Sequence, residues 1–449
     1  MNRTERPTLR ERLQVFAVVC FFLALVALPV LALALEGERA RWQAAAAVNR
    51  LRHGQGEQTE SGDILDQLAL LDLNDDMMKY GIARVLLDHG YAEEALKLAE
   101  AVSEKPETQY LGNNLMVRSL NHLGRFEDSL TVYQAIAEQL KEFEQAQRNS
   151  SGWFGDLTGS VDTVQQVRNQ RLNGLAYHRA LADRDLPMAE DNIKQVIDGL
   201  SAQSWFPVKA RISFRERTLI AIALIGRQVD RGAAVLALLD QYLPRLESAS
   251  EAQSAEMVAT LNREMKDEFP LSPAVEKTIR QRALAYRIGR ERLATLLVAR
   301  ALVLDDLGEY ARSNEDRYRV AMMGIDPQQV LQEFPDDIEC LRTLEQAATY
   351  FDTRGVVMMK RGRQGSANKD LNLALSAAVM LNQSFSGGIQ NSVMNEGGRF
   401  FQESRSRELE ASVLYHRMQL AEEMANHEQA AADRSRIQAL GFQPGPWLN

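Results

Sequence analysis

The seventeen residues LLDHGYAEEALKLAEAV, Leu86 to Val102, decide how the rest of the chain is read. Ala83 and Leu86 lie three apart on one helical face, Gly90 interrupts the pattern, and Ala95, Leu98, Ala99 and Val102 then recur at i, i+3, i+4 and i+7. An apolar stripe with that period is one side of an amphipathic helix, so the spacing predicts two helices joined at Gly90. Small residues at Ala83 and Ala95 let two antiparallel backbones approach closely. Gly90 supplies the freedom a chain reversal needs, and Pro106 stops the second helix.

The same order returns downstream. Val117, Leu120, Gly124, Phe126, Ser129, Val132 and Ile136 repeat the sequence of large, turn and small residues, and Gly124 follows Gly90 by 34 residues. HLGRFEDSLTVYQAI thus echoes DHGYAEEALKLAEAV, and this period resembles the tetratricopeptide repeat, whose unit is a helix–turn–helix of that length. A third copy, ARALVLDDLGEYARSNEDRYRVA, places Ala301, Leu304, Gly308, Tyr310 and Ser313 in matching order, with Arg317 where an aromatic or small apolar residue is more usual. A fourth, LNGLAYHRALADRDLPMAEDNI, matches through Ala176 and Ala189 with one extra residue in the turn. The resemblance implies an all-α fold, a right-handed α-solenoid of helix–turn–helix repeats over residues 64–445 whose concave face binds peptides or protein surfaces. At this period the body has room for roughly eight to ten hairpins.

Composition agrees with helices: alanine, leucine, glutamate, glutamine and arginine dominate, and 449 residues contain only 12 prolines. The net charge is −9, and because the first 35 residues carry four arginines and two glutamates the remainder stands at −11. A chain so acidic lacks the basic face that nucleic acid binding requires, so protein or peptide partners are expected and nucleic acid is not.

The N-terminus reads differently. MNRTERPTLRER precedes the uncharged run Leu13–Leu35, whose 23 residues reach roughly 35 Å as a helix against about 30 Å of hydrocarbon. The expectation is a cytoplasmic tail at 1–12, one transmembrane anchor at 13–35, a juxtamembrane helix and polar linker at 36–63, and an exported body, periplasmic if the source is bacterial. Pro29 followed by Ala32-Leu33-Ala34 also fits a signal cleavage site, which would release the body after Ala34.

Chemistry is sparse. Cys20 and Cys340 are the only cysteines, too few for a thiolate metal cluster, and His53, His89, His122, His178, His416 and His427 show no metal-ligand spacing. No cofactor, metal or catalytic residue is expected. Paired acids such as Asp75-Asp76, Asp305-Asp306 and Asp336-Asp337 are adjacent in sequence and read as turn or cap residues. KRGRQGSANK, residues 360–369, reads as a solvated basic loop, and the diglycines within residues 384–401 form no phosphate-binding pattern. Trp153 and Phe154, in the Gly- and Ser-rich stretch 148–160, are the candidate partner anchors. The expected function is a membrane-anchored, non-catalytic scaffold. The alternatives are a helical-repeat enzyme acting on an envelope polymer and a structural subunit of a membrane complex.

Overall fold

The computed structural model describes residues 76–88, 90–150, 160–202, 212–264, 272–386 and 396–445, in which every regular element is a helix. Seven hairpins account for fourteen of the fifteen helices. They are α1 (Asp76–Asp88) with α2 (Ala92–Ser103), α3 (Gln109–His122) with α4 (Phe126–Ser150), α5 (Ser160–Leu181) with α6 (Leu186–Ala202), and α7 (Phe214–Gln228) with α8 (Gly232–Glu264). Then α9 (Pro273–Asp306) pairs with α10 (Tyr310–Met322), the short α11 (Pro327–Gln332) intervenes, α12 (Asp337–Lys360) pairs with α13 (Gln364–Ser386), and α14 (Glu396–Glu423) with α15 (His427–Ala439). The expected eight to ten hairpins are therefore seven among the described residues. The strict period does not persist because α8 and α9, at 33 and 34 residues, each occupy the length of a whole repeat.

Each turn is built on a residue in the left-handed region, Gly90, Gly124, Asp183, Asp230, Gly308, Gly362 and Ala425, with φ between 53° and 85°, and the longer third turn holds a second, Asp185, at 45°. In all seven the next N–H donates to the carbonyl five residues back at 2.8–2.9 Å, as Tyr91 does to Leu86 and Asn426 to Ala421. This bond satisfies a carbonyl that the helix end would otherwise leave open. Seven residues before the turn residue and five after it, the two helices meet. Ser129 donates to the Val117 carbonyl at 3.5 Å, and Ser313 to the Ala301 carbonyl at 3.0 Å. Ala83 and Ala95 occupy the same two positions in the first hairpin, and Ala176 and Ala189 serve the third, where the turn is one residue longer; all four are fully buried.

The chain divides into two compact units, Met1–Val132 and Tyr133–Asn449. The described core of the first is Ile82, Ala83, Leu86, Leu87, Ala92, Ala95, Ala99 and Leu115. Its helices approach so closely that a Cβ on Gly112 would sit 2.5–2.8 Å from the Ser103 backbone and Cβ. In the second unit, hairpin-to-hairpin stacking is supplemented by a central helix, α12, which packs on α5, α6, α7, α13 and α14. Phe351 of α12 is wholly buried and stacks on Phe214 of α7 with centroids 5.4 Å apart. Cys340, in the first turn of α12, is also wholly buried, and burial pushes its thiol up to about 12.

A second regularity binds this unit together. Eight residues before the turn residue stands an arginine, and eight after it an aspartate, in the last three hairpins: Arg300 with Asp316, Arg354 with Asp370, and Arg417 with Asp433. In each pair Nε and Nη2 donate to the two carboxylate oxygens at 2.5–2.9 Å. The aspartates are at most 3% exposed, so the fork-to-fork contact replaces water that they have lost. The remaining guanidinium nitrogen reaches the preceding hairpin in two cases, Arg300 to Asp240 at 2.7 Å and Arg417 to Asn372 at 2.9 Å. Asp370 instead takes a second arginine, Arg215 of α7, at 2.7 Å.

The membrane localisation expected from the N-terminal run is corrected here. Among the described residues no helix is long and apolar enough to cross a membrane. The longest, α9, carries Glu276, Lys277, Arg280 and Arg282 in its first turns, charges incompatible with hydrocarbon. Residues 1–75, and with them the run 13–35, lie outside the described residues, and no anchor enters the functional reading below.

Two stability tests follow from these contacts. At Gly308, where nothing lies within 4 Å of an added Cβ, Gly308→Ala isolates the backbone penalty and is expected to lower unfolding free energy by about 1 kcal/mol. Ala425→Gly relieves the same strain and raises stability by a smaller amount; equal signs in urea titrations would contradict this account of the turns. For the ion pairs, Arg417→Met alone is expected to cost about 3–5 kcal/mol, whereas Arg417→Met with Asp433→Leu recovers most of that loss because the charges of both partners are removed together. A double variant no more stable than the single one would remove the pair from its assigned role.

Candidate docking cleft

The second unit contains an open cleft of about 550 Å³ where four helix ends converge. The last turn of α7 supplies Leu224, Arg227 and Gln228, and the last turns of α9 supply Leu302 and Asp306. Leu331 of α11, with Phe334 and Pro335 beyond it, closes one side, and Asp337 at the start of α12 completes the lining. Local sequence fixes these ends. Asp326 caps α11 by accepting from the Gln328 N–H at 2.9 Å, with Pro327 in the first turn, and Asp336 caps α12 by accepting from the Glu339 N–H at 2.9 Å. The six residues of α11 are too few to cover the apolar ends of α7 and α9, so Leu224, Leu302, Leu331 and Phe334 stay half-exposed.

Polar groups at the rim are arranged in two pairs. Arg227 engages Asp306 with Nε and with Nη2, the latter at 3.0 Å, and Gln228 donates to Asp337 Oδ1 at 2.9 Å. Asp305, the neighbour of Asp306, points elsewhere and holds Arg317, which explains an arginine at a position where the repeat pattern favours an apolar or aromatic residue. Of these adjacent acids Asp336 is a cap, whereas Asp305 and Asp306 end α9 as partners of arginines and Asp337 opens α12. What their spacing did not reveal is that one member of each pair, Asp306 and Asp337, lines the same cleft.

A separate buried network lies deeper in this unit. His416 of α14, fully buried, contacts both oxygens of Asp352 at 2.9 and 3.0 Å through Nδ1, and the Tyr177 hydroxyl at 3.2 Å through Nε2. A carboxylate only accepts, so His416 donates to Asp352 through Nδ1, and its Nε2 shares the second hydrogen bond with the Tyr177 hydroxyl. Burial, followed by the nearby Asp352, raises Tyr177 well above the usual tyrosine range. The three side chains come from α5, α12 and α14 and join three hairpins by hydrogen bonds. His178 lies beside them, its ring 4.5 Å from that of Tyr133, and burial lowers it to about 3. Among the described residues no group of three or more His, Cys, Asp or Glu side chains could hold a metal ion.

The sequence-derived positions fall elsewhere. Ala83, Gly90, Ala95, Val117, Gly124, Ser129, Ala176, Ala189, Ala301, Gly308 and Ser313 all sit at hairpin turns or interiors, and none lines the cleft. Trp153, Phe154 and His89 lie outside the described residues, as does the first diglycine with the rest of 387–395. In the basic loop, Arg361 and Arg363 both pair with Glu190 of α6. No signal of period or motif marks Leu224, Leu302, Leu331 and Phe334, because they come together only when the end of α7 meets that of α9 beside α11, joining Arg227 to Asp306 from 79 residues apart.

The described residues thus form helix–turn–helix hairpins resembling those of tetratricopeptide repeats. No protein family and no curated protein matches it. Solved structures similar to it include yeast Tom70, at 10% identity over 90% of this chain and 92% of that one with a TM-score of 0.20. Another is Naa15/Naa10 bound to HypK-THB, at 13% identity over 90% and 75% with a TM-score of 0.19. At those scores the likeness carries no argument about function.

The depressed His178 gives the second unit an acid-sensitive point. In the fold this ring stays neutral to about pH 3, whereas in the unfolded chain it takes a proton near pH 6.5. Its contribution is complete above pH 6.5 and is lost as pH falls toward 3, by roughly 2 kcal/mol already at pH 5. In His178→Gln the difference between unfolding free energies at pH 7 and pH 5 should shrink by about that amount. An unchanged difference would mean the ring is protonated in the fold.

Proposed function

We propose that this protein is a non-catalytic interaction scaffold that docks a segment of a partner protein in the cleft between α7, α9, α11 and α12. The observation that carries the reading is the cleft itself: Leu224, Leu302, Leu331 and Phe334 left partly uncovered by the hairpins, beside polar groups held in place by one another. Its volume lies within the roughly 300–1,000 Å³ of ordinary ligand sites. The helix ends that form it are joined to one another by Arg227 with Asp306 and by Gln228 with Asp337, so a partner would meet a preorganised surface.

Catalysis is the weaker reading. Tyr177, His416 and Asp352 have the partners of a proton relay, but His416 is fully buried and no cleft residue belongs to the relay. In the cleft, Asp306 and Asp337 are already engaged by Arg227 and Gln228. A second non-catalytic reading, a subunit held by broad permanent contact, draws on α10. There Tyr310, Tyr318 and Met322 are 64%, 65% and 69% exposed and fall within about 120° of helix circumference.

Site-specific photocrosslinking in the source cells separates these readings. With a photoreactive residue at Leu331, a discrete partner adduct is expected that is absent when the probe stands at Val258 on α8 and is lost in Phe334→Ala. Adducts formed only from Tyr318 would favour the permanent-subunit reading, and identical adducts from Leu331 and Val258 would dismiss the cleft.

A further inference from the structure

Resting on the docking reading, we infer that the cleft between α7, α9, α11 and α12 selects protein segments that place a bulky apolar side chain beside a lysine or arginine. The apolar half follows from the floor. Leu224, Leu302, Leu331 and Phe334 are each half-buried and present only carbon to the cavity, so removing their remaining area from water favours an aliphatic or aromatic side chain.

The cationic half follows from charge. Three charged residues line the cleft, Arg227, Asp306 and Asp337. The single lining cation is already held at both ends of its fork by Asp306. Asp337 receives only the neutral amide of Gln228, on one oxygen, and no lining cation answers its charge. Asp336 stands next to it, exposed, with its side chain turned to cap α12. The N-terminus of α12 offsets about half a charge of this pair, and the rim remains negative. An acidic segment would bring like charge against Asp337 and find Arg227 occupied. A basic one gains a counter-charge at the rim, where solvent keeps the desolvation cost low, and the chain's net −9 draws it in.

The test uses the full chain and a phage-displayed library of random dodecapeptides, with binders to the Phe334→Ala chain removed; Leu331→Ser serves as a second counter-selecting variant should Phe334→Ala lose its fold by circular dichroism. Expected survivors carry a leucine, isoleucine, phenylalanine or tryptophan within three positions of a lysine or arginine. A synthetic survivor should lose at least tenfold affinity in Asp337→Lys, lose less in Asp337→Asn, and weaken with added salt in the wild type. Survivors with acidic flanks, or affinity indifferent to Asp337→Lys, would overturn the inference while leaving the docking reading intact. If no peptide distinguishes wild type from both floor variants, the docking reading itself falls. Self-association of the wild type that disappears in the floor variants would assign the cleft to a second copy and overturn the inference.

Discussion

In three hairpins of the second unit an aspartate is withdrawn from water at the same place, eight residues past the turn, and an arginine eight residues before the turn takes over its solvation. Much else in that unit depends on this exchange. Arg300 and Arg417 use their third nitrogen to fasten the neighbouring hairpin, and Asp370 gathers Arg354 and Arg215 from two helices. Both of those guanidiniums also lie over the ring of Phe351, at 5.0 and 5.7 Å, so the charge pair and the aromatic core share one site. Apolar packing supplies most of the driving force for such helices, but it is tolerant of sliding. A bidentate contact is not, and it fixes the register at which the helices stack.

Register explains why the cleft exists. Arg215 with Asp370 and the buried Glu216 with Arg292 hold the first turn of α7 to α13 and α9, and at its other end Arg227 and Asp306 join the last turns of α7 and α9 beside their apolar side chains. The short α11 spans the distance without filling it. The cleft is what remains when strong polar contacts set the helix positions first and side-chain volume has to follow.

The hairpins were legible in the sequence wherever glycine marked the turn and a small residue stood on either side, as at Gly90 with Ala83 and Ala95, or Gly308 with Ala301 and Ser313. The Asp183 turn was legible from Ala176 and Ala189 without a glycine, whereas the turns at Asp230 and Ala425 lack the full signature, although aspartate tolerates the left-handed region better than most residues. The Arg–Asp pairs were present in the sequence at a constant separation of 16 residues, and went unseen because attention to apolar period treats charge as surface. The cleft could not be read at all. Its four apolar residues look like any others of their helices, and only the tertiary arrangement leaves them uncovered.

Cys340 adds a consequence of a different sort. It is the sole cysteine among the described residues, sealed in the first turn of α12 next to Pro335 and Asp337 of the cleft wall, with a thiol disinclined to ionise. A thiol reagent reaches it only during excursions in which that turn opens, so with Cys20 replaced the rate of labelling becomes a clock for those excursions. Whatever settles in the cleft must slow the clock, and the chain therefore carries its own occupancy gauge at a position no added label would need to disturb.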